Sequence, residues 1–270
     1  MQFSSVLQLS SRGASNVSRS KDEFSVILQP PLHLPRKAYN VYLRVNQASI
    51  WNTTPNVIDG TNNRLYVSED AGVTYVMLLI PSGLYGVSEL NTAILRALEN
   101  VGYANLFTIT ADFPTQKTVI NFTTADTKID FTQALTLRDI LGFDSKVVTG
   151  APLNQLGDKE ANFNTVNSFI IRTDLVDTGI SVNGRGTQAC AIVPITALPG
   201  SLINYQPTNP PNIPCERLSY GPQQMVTVSV TNEIGEKVIM IDEWSVVIEV
   251  VYSIPFASQN DVSNTTRVWY

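Results

Sequence analysis

Few side chains in this sequence could do chemistry. It has one histidine, His33, flanked by Leu32 and Leu34 in a proline-bounded stretch, and two cysteines, Cys190 and Cys215. Acid–base or nucleophilic catalysis needs such a group held beside a second one in a cleft. An isolated histidine in a Pro-rich stretch instead reads as a turn or strand-edge residue. Cys190 lies in the apolar run Gln188-Ala-Cys-Ala-Ile-Val193, where a small buried hydrophobe is expected, and Cys215 sits in a Pro-rich loop. These are too few soft ligands for a Cys/His zinc centre. Asp126, Asp130, Asp139 and Asp144 are near one another in sequence but lack the D-x-[DN]-x-[DN]-G loop that wraps calcium, and Asp139 is better employed at a helix start. No phosphate loop, dinucleotide fingerprint, nucleophile elbow or zinc-protease motif is present. The expectation is a chain with no catalytic residue, no cofactor and no metal.

What remains is suited to contact. Arg12, Arg19 and Lys21 sit on a Ser-rich N-terminal stretch together with Phe3, Val6, Leu7 and Leu9. That combination suits an arm ordered by adjoining subunits, with the cations available to polyphosphate or anionic lipid. Asn183-Gly-Arg-Gly186 has hairpin-turn chemistry that would present Arg185 to a partner. Trp269 and Tyr270 close a tail rich in Asn, Ser and Thr and are suited to docking on a neighbour. The expected interface residues are therefore Phe3, Arg12, Arg19, Lys21, Arg185, Trp269 and Tyr270. A carbohydrate- or receptor-binding sandwich is the competing reading, with Trp51, Tyr205, Tyr220 or Trp269 as stacking platforms.

Composition points the same way. Of 270 residues, 43% are hydrophobic but only 15% charged, against about 25% in an average soluble chain. Association surfaces are depleted of Lys, Glu and Asp, so the shortage suggests surface covered by neighbours. The net charge of −5 argues against a dedicated nucleic-acid binder, although residues 1–44 hold six cations against Asp22 and Glu23. The first twenty residues lack the apolar core of a secretory leader, so a chain made and kept inside the cell is expected; this favours thiols at Cys190 and Cys215 but leaves their bonding open. Residues 187–215 carry no charge, yet six prolines interrupt them, which no membrane helix tolerates.

The elements that would carry these groups are mostly strands. Phe24–Leu28 and Tyr39–Trp51 alternate apolar and polar residues, and nine further candidates follow at 64–67, 73–80, 106–110, 118–122, 166–173, 188–195, 225–230, 237–241 and 243–254. In the last of these, Trp244, Val246, Ile248, Val250 and Tyr252 would be buried and Glu243, Ser245, Val247 and Glu249 would face outward, inside a sheet. Two segments read as helix. Ser88–Val101 has Leu90, Ala93, Ile94, Ala97 and Leu98 on one face, with Ser88 as N-cap and Gly102 as stop. Thr136–Asp139 resembles a capping box before Leu141 and Gly142, with Phe143 plugging back into the core. Strands strung between Pro, Gly and Asn turns, without a βαβ rhythm, predict an antiparallel sandwich.

Several stretches resemble the jelly-roll capsid proteins of the polinton, virophage and polinton-like virus group, particularly their minor, penton-type protein. They are Ile50-Trp51-Asn52 with Pro55-Asn56; Ile80-Pro-Ser-Gly-Leu-Tyr85 leading to Glu89-Leu90-Asn91; Leu135-Thr-Leu-Arg-Asp-Ile-Leu-Gly-Phe143; and Asn232-Glu-Ile-Gly-Glu236. The resemblance implies a structural subunit of an icosahedral virion, at five-fold vertices if it is a single roll, in trimers if it is a double one.

The expected fold is an all-β jelly-roll sandwich of about eleven strands with two short helices, a compact double jelly roll being the alternative. Residues 1–22 would form an extended arm, 23–256 the jelly roll with insertions and 257–270 a tail. The expected partners are copies of the chain, as a pentamer before a trimer, other capsid proteins of the same virion, and genome or internal-membrane lipid reached through the N-terminal arm.

Overall fold

The computed structural model describes residues 1–215, 218 and 220–255. Along them run eighteen strands and two helices: β1 Gln2–Ser10, β2 Asn16–Val17, β3 Glu23–Leu32, β4 Tyr39–Trp51, β5 Arg64–Ser68, β6 Val76–Leu79, α1 Val87–Asn100, β7 Phe107–Asp112, β8 Lys117–Phe122, β9 Lys128–Asp130, α2 Arg138–Leu141, β10 Val147–Thr149, β11 Asn154–Leu156, β12 Ser168–Thr173, β13 Ile180–Val182, β14 Arg185–Pro194, β15 Leu202–Tyr205, β16 Ile213–Pro214, β17 Gln223–Thr231 and β18 Ser245–Ser253. The excess over eleven comes mainly from pieces of two or three residues, too short to show a period. The chain forms two compact units, one of Met1–Asn52 with the chain from Val166 onward, the other of Thr53–Thr165.

Eight strands build the roll of the first unit: β1, β3, β4, β12, β14, β15, β17 and β18. They pair from the outside in. The first pairs with the eighth (Leu9 opposite Val246), the second with the seventh (Val26 opposite Val226), the third with the sixth (Ile50 opposite Ile203) and the fourth with the fifth (Phe169 opposite Val193), all antiparallel. The result is one sheet ordered β1-β18-β4-β15, with β16 also on β4, and another ordered β13-β14-β12-β17-β3-β2. A long antiparallel hairpin rolled into two sheets is a jelly roll, so the expected fold class is met by the strand order itself. Its core holds Leu9, Phe24, Leu43, Ile50, Phe169, Val228, Trp244, Val246 and Ile248. The Trp244 ring meets Phe24 edge-on at 4.7 Å, and its Nε1–H donates to the Lys21 carbonyl at 2.8 Å.

The N-terminal stretch is not an arm. Gln2–Ser10 is the first strand of the roll, in unbroken register with β18 from Ser253 to Ser245. Residues 11–22 are tied down as well: Trp244 N–H donates to Ser11 Oγ, Val230 N–H to the Asp22 carbonyl, and Ser18 and Ser20 hydroxyls to the buried Asp22 carboxylate. The alternation Phe3, Ser5, Leu7, Leu9 was hidden because a serine occupies an inward position and Val6 an outward one. The roll therefore begins at Gln2 rather than residue 23, and Thr53–Thr165 is a unit of its own.

The C-terminal strand behaves as expected. It lies between β1 and β4, with Trp244, Val246, Ile248 and Val250 buried and Tyr252 partly so. Val251 is buried out of phase, next to a register shift against β4. Lys237–Ile241 is no strand. Val238 and Met240 alternate inward, but the segment makes one isolated bridge, Thr231 to Lys237.

The second unit has sheets ordered β10-β9-β5-β6 and β11-β8-β7. Its seven strands pair mostly with near neighbours, not from the outside in, so it does not make a second jelly roll. Leu90, Ile94 and Leu98 on one face of α1 join a core with Leu65, Phe107, Ile120, Phe131 and Phe143. Helix α1 starts one residue earlier than expected, capped by the extended backbone of Gly86 without a side-chain hydrogen bond, so Ser88 is not its N-cap. Nor does Thr136 cap α2, whose N-cap is Leu137; Asp139 pairs instead with Arg138 at 3.1 Å. Gly142 ends α2 at φ +74°, and Phe143 stacks on Phe131 at 5.1 Å.

Candidate interface surfaces

Three of the four predicted contact residues of the N-terminal stretch have contacts within the chain. Phe3 stacks on Tyr252 at 5.9 Å while keeping 39% of its surface exposed. Arg12 Nε lies 3.7 Å from a Glu243 carboxylate oxygen, an exposed pair of little energetic weight. Lys21 Nζ donates to the Ile241 carbonyl at 2.8 Å. Arg19 is exposed. Phe3, Arg12 and Lys21 thus line up along residues 241–252 of the same chain, while the Arg12 and Arg19 side chains stay exposed. Asn183 (φ +50°) and Gly184 (φ +74°) make the expected hairpin turn, bringing Arg185 opposite Val182 at its base. Trp269 and Tyr270 lie outside the described residues.

Among the groups that could do chemistry, the two cysteines are buried and three of the aspartates have partners within the chain. His33 is exposed just beyond β3. Cys190 and Cys215 are free and fully buried, and burial pushes both thiols up to about 12; neither offers a thiolate nucleophile at neutral pH. Asp130 accepts from Thr132 and Gln133, Asp144 pairs with Lys159 at 2.6 Å and Asp139 with Arg138. Of the four aromatics expected as stacking platforms, Tyr220 is 84% exposed, Trp269 lies outside the described residues, and Trp51 and Tyr205 point apart. Trp51 is opposite Leu202 on the outer face of the sheet, whereas Tyr205 is opposite the buried Ala48 and packs against the core.

Three surfaces escaped the sequence reading. Val73, Tyr75, Met77 and Leu79 form a period-two row, all exposed, on and just before edge strand β6. Beside it, Leu79, Pro81 and Tyr85 wall a groove of about 410 Å³ along Ser88, Thr92, Arg96 and Asn100 of α1. On the roll, a depression of about 520 Å³ holds Arg172, Asn183 and Glu233. Burial pushes the Glu233 carboxyl up, but hydrogen bonds, Asn167 among the donors, leave it below its ordinary value. The third surface is the edge of β1, with which no second strand pairs among the described residues: nine residues with no charge, no proline and no register shift.

Large apolar side chains stand almost clear of both units, with Phe113 85%, Tyr220 84%, Val73 81% and Leu198 77% exposed. Among the described residues no helix is long and apolar enough to cross a membrane.

No protein-family model matches the chain, and no curated protein does. Among solved structures it is similar to the mavirus penton protein, with 10% identity over 94% of this chain and 99% of that one and a TM-score of 0.44. It is also similar to a chain of the Sputnik virophage structure, with 13% identity over 92% and 97% of the two chains and a TM-score of 0.40.

Proposed function

We propose that this chain is a structural subunit of an icosahedral virion, a jelly-roll capsid protein of the minor, penton type that acts by covering its surfaces with copies of itself and with other capsid proteins. The observation that carries the reading is the near-complete exposure of Phe113, Tyr220, Val73 and Leu198 on a chain whose charged residues amount to 15%. A single exposed apolar side chain means little, but several of this size on a charge-poor chain favour burial by neighbours. The strand order supports it as architecture, since a jelly roll is a scaffold on which loops and edges do the binding.

The expected oligomer is a pentamer, with a trimer as the other closed ring, located in the virion. Light scattering coupled to size exclusion, with negative-stain microscopy of the same fractions, tests this. Rings or shells are the expected result. A chain that stays monomeric at high concentration, alone and mixed with the other capsid proteins of its virion, would overturn it.

A further inference from the structure

We infer that the free edge of β1 is a pairing surface for β1 of a second copy, joined antiparallel across a two-fold axis into one continuous sheet. The inference deepens the subunit reading, on which it rests for the identity of the partner.

A sheet edge presents a row of unpaired N–H and C=O groups, and proteins that must stay single blunt it with short strands, charges, prolines or bulges. Every other edge here is blunted. Among the described residues the terminal strands of the sheets are β15 with four residues, β6 with four, β10, β11 and β13 with three and β2 with two. Beyond β2, the uncovered part of β3 carries Pro30 and Pro31. Edge strand β7 has six residues, ends on Asp112 and gives its Ile109 N–H to Asn91 Oδ1 at 2.8 Å. Against these, β1 offers nine residues, Gln-Phe-Ser-Ser-Val-Leu-Gln-Leu-Ser, with none of those devices.

The same comparison identifies the partner strand. Among the described residues no other edge strand is long enough to match nine residues, whereas β1 matches itself. Because it carries no charge, two copies approach without like-charge repulsion. A register centred on Val6 sets Val6 against Val6 and Ser4 against Gln8. All three are exposed here, Val6 at 61%.

The test uses the full-length chain and its Val6→Lys and Val6→Glu variants, with folding checked by circular dichroism and mass measured by sedimentation at matched concentration. The expected wild-type assembly is a pair of rings joined through β1, ten chains if the ring is a pentamer and six if it is a trimer; each variant halves its mass, and an equimolar mixture of the two restores it. Hydrogen exchange of residues 2–10 should slow when wild-type protein is concentrated, and not in Val6→Lys. Folded variants that keep the wild-type mass, or exchange in 2–10 that ignores concentration, would overturn the two-fold contact while leaving the subunit reading standing. A wild-type chain that remains monomeric alone removes the two-fold contact, and one that also remains monomeric when mixed with the other capsid proteins of its virion removes both.

Discussion

Replacing Leu9 with alanine separates a strand from an arm. Leu9 is 1% exposed, opposite Val246 on β18, and belongs to the core of the roll. Leu→Ala in a packed site costs about 2–5 kcal/mol, the spread reflecting how far the cavity collapses. An edge strand can move inward more easily than a central one, so the lower half of that range applies, about 3 kcal/mol. For a protein of this size each kcal/mol lowers Tm by roughly 2–4 °C, giving a fall of about 6–12 °C. The assay is scanning calorimetry at one fixed protein concentration, because association itself raises Tm. Val6→Ala on the same strand is the control: Val6 is 61% exposed, and a surface change of this kind stays within about 0.5 kcal/mol. The loss should fall on the roll's transition if the two units melt apart. A Leu9→Ala protein that melts with the wild type would show that residues 2–10 do not pack as the first strand, and the strand order argued above would fail with it.

Three further outcomes are expected. Gly142 holds φ +74°, and a Cβ there would run into the Lys159 and Glu160 carbonyls, so Gly142→Ala should destabilise the second unit by more than ~1 kcal/mol in urea titration; unchanged stability would contradict the turn. With both thiols pushed up to about 12, the native protein should leave a disulfide reagent unconsumed at pH 8 and consume two equivalents in guanidinium, a result that prompt reaction of folded protein would refute. Hydrogen bonds from the Thr74 hydroxyl and amide, then the Ser68 hydroxyl, hold Asp70 well below the ordinary carboxylate range. A group depressed in the folded state stabilises it above its unfolded pKa of about 3.9 and loses that contribution as pH falls through the folded value. Asp70→Asn should therefore lower the urea midpoint at pH 7 and converge on wild type in acid; equal midpoints at pH 7 would dismiss the loop cage.

How much of this was legible depended on whether the signal was local. Tyr39–Trp51 and Ser245–Ser253 showed their strand period because each lies inside a sheet with one face buried along most of its length. α1 showed its face for the same reason. Gln2–Ser10 did not, since an edge strand buries deeply only at Leu9 and can afford serine elsewhere. The helix starts were misread because Gly86 and Leu137 cap with backbone conformation, which leaves no side-chain signature. At the candidate surfaces, the residue types of the N-terminal stretch suggested contact with neighbours, whereas Phe3 and Lys21 are occupied by partners some two hundred residues away, at Tyr252 and Ile241.

By itself the sequence determined that the chain is an antiparallel β protein with one amphipathic helix, a buried Cys190 and too little charge for its surface, because period, turn residues and composition are properties of neighbours along the chain. Only the tertiary structure decided that Leu9 faces Val246, that the roll closes first strand on last, and that Thr53–Thr165 forms a core of its own. Backbone N–H and C=O groups are identical at every residue, so a strand's pattern says which face it hides but not which strand it will join.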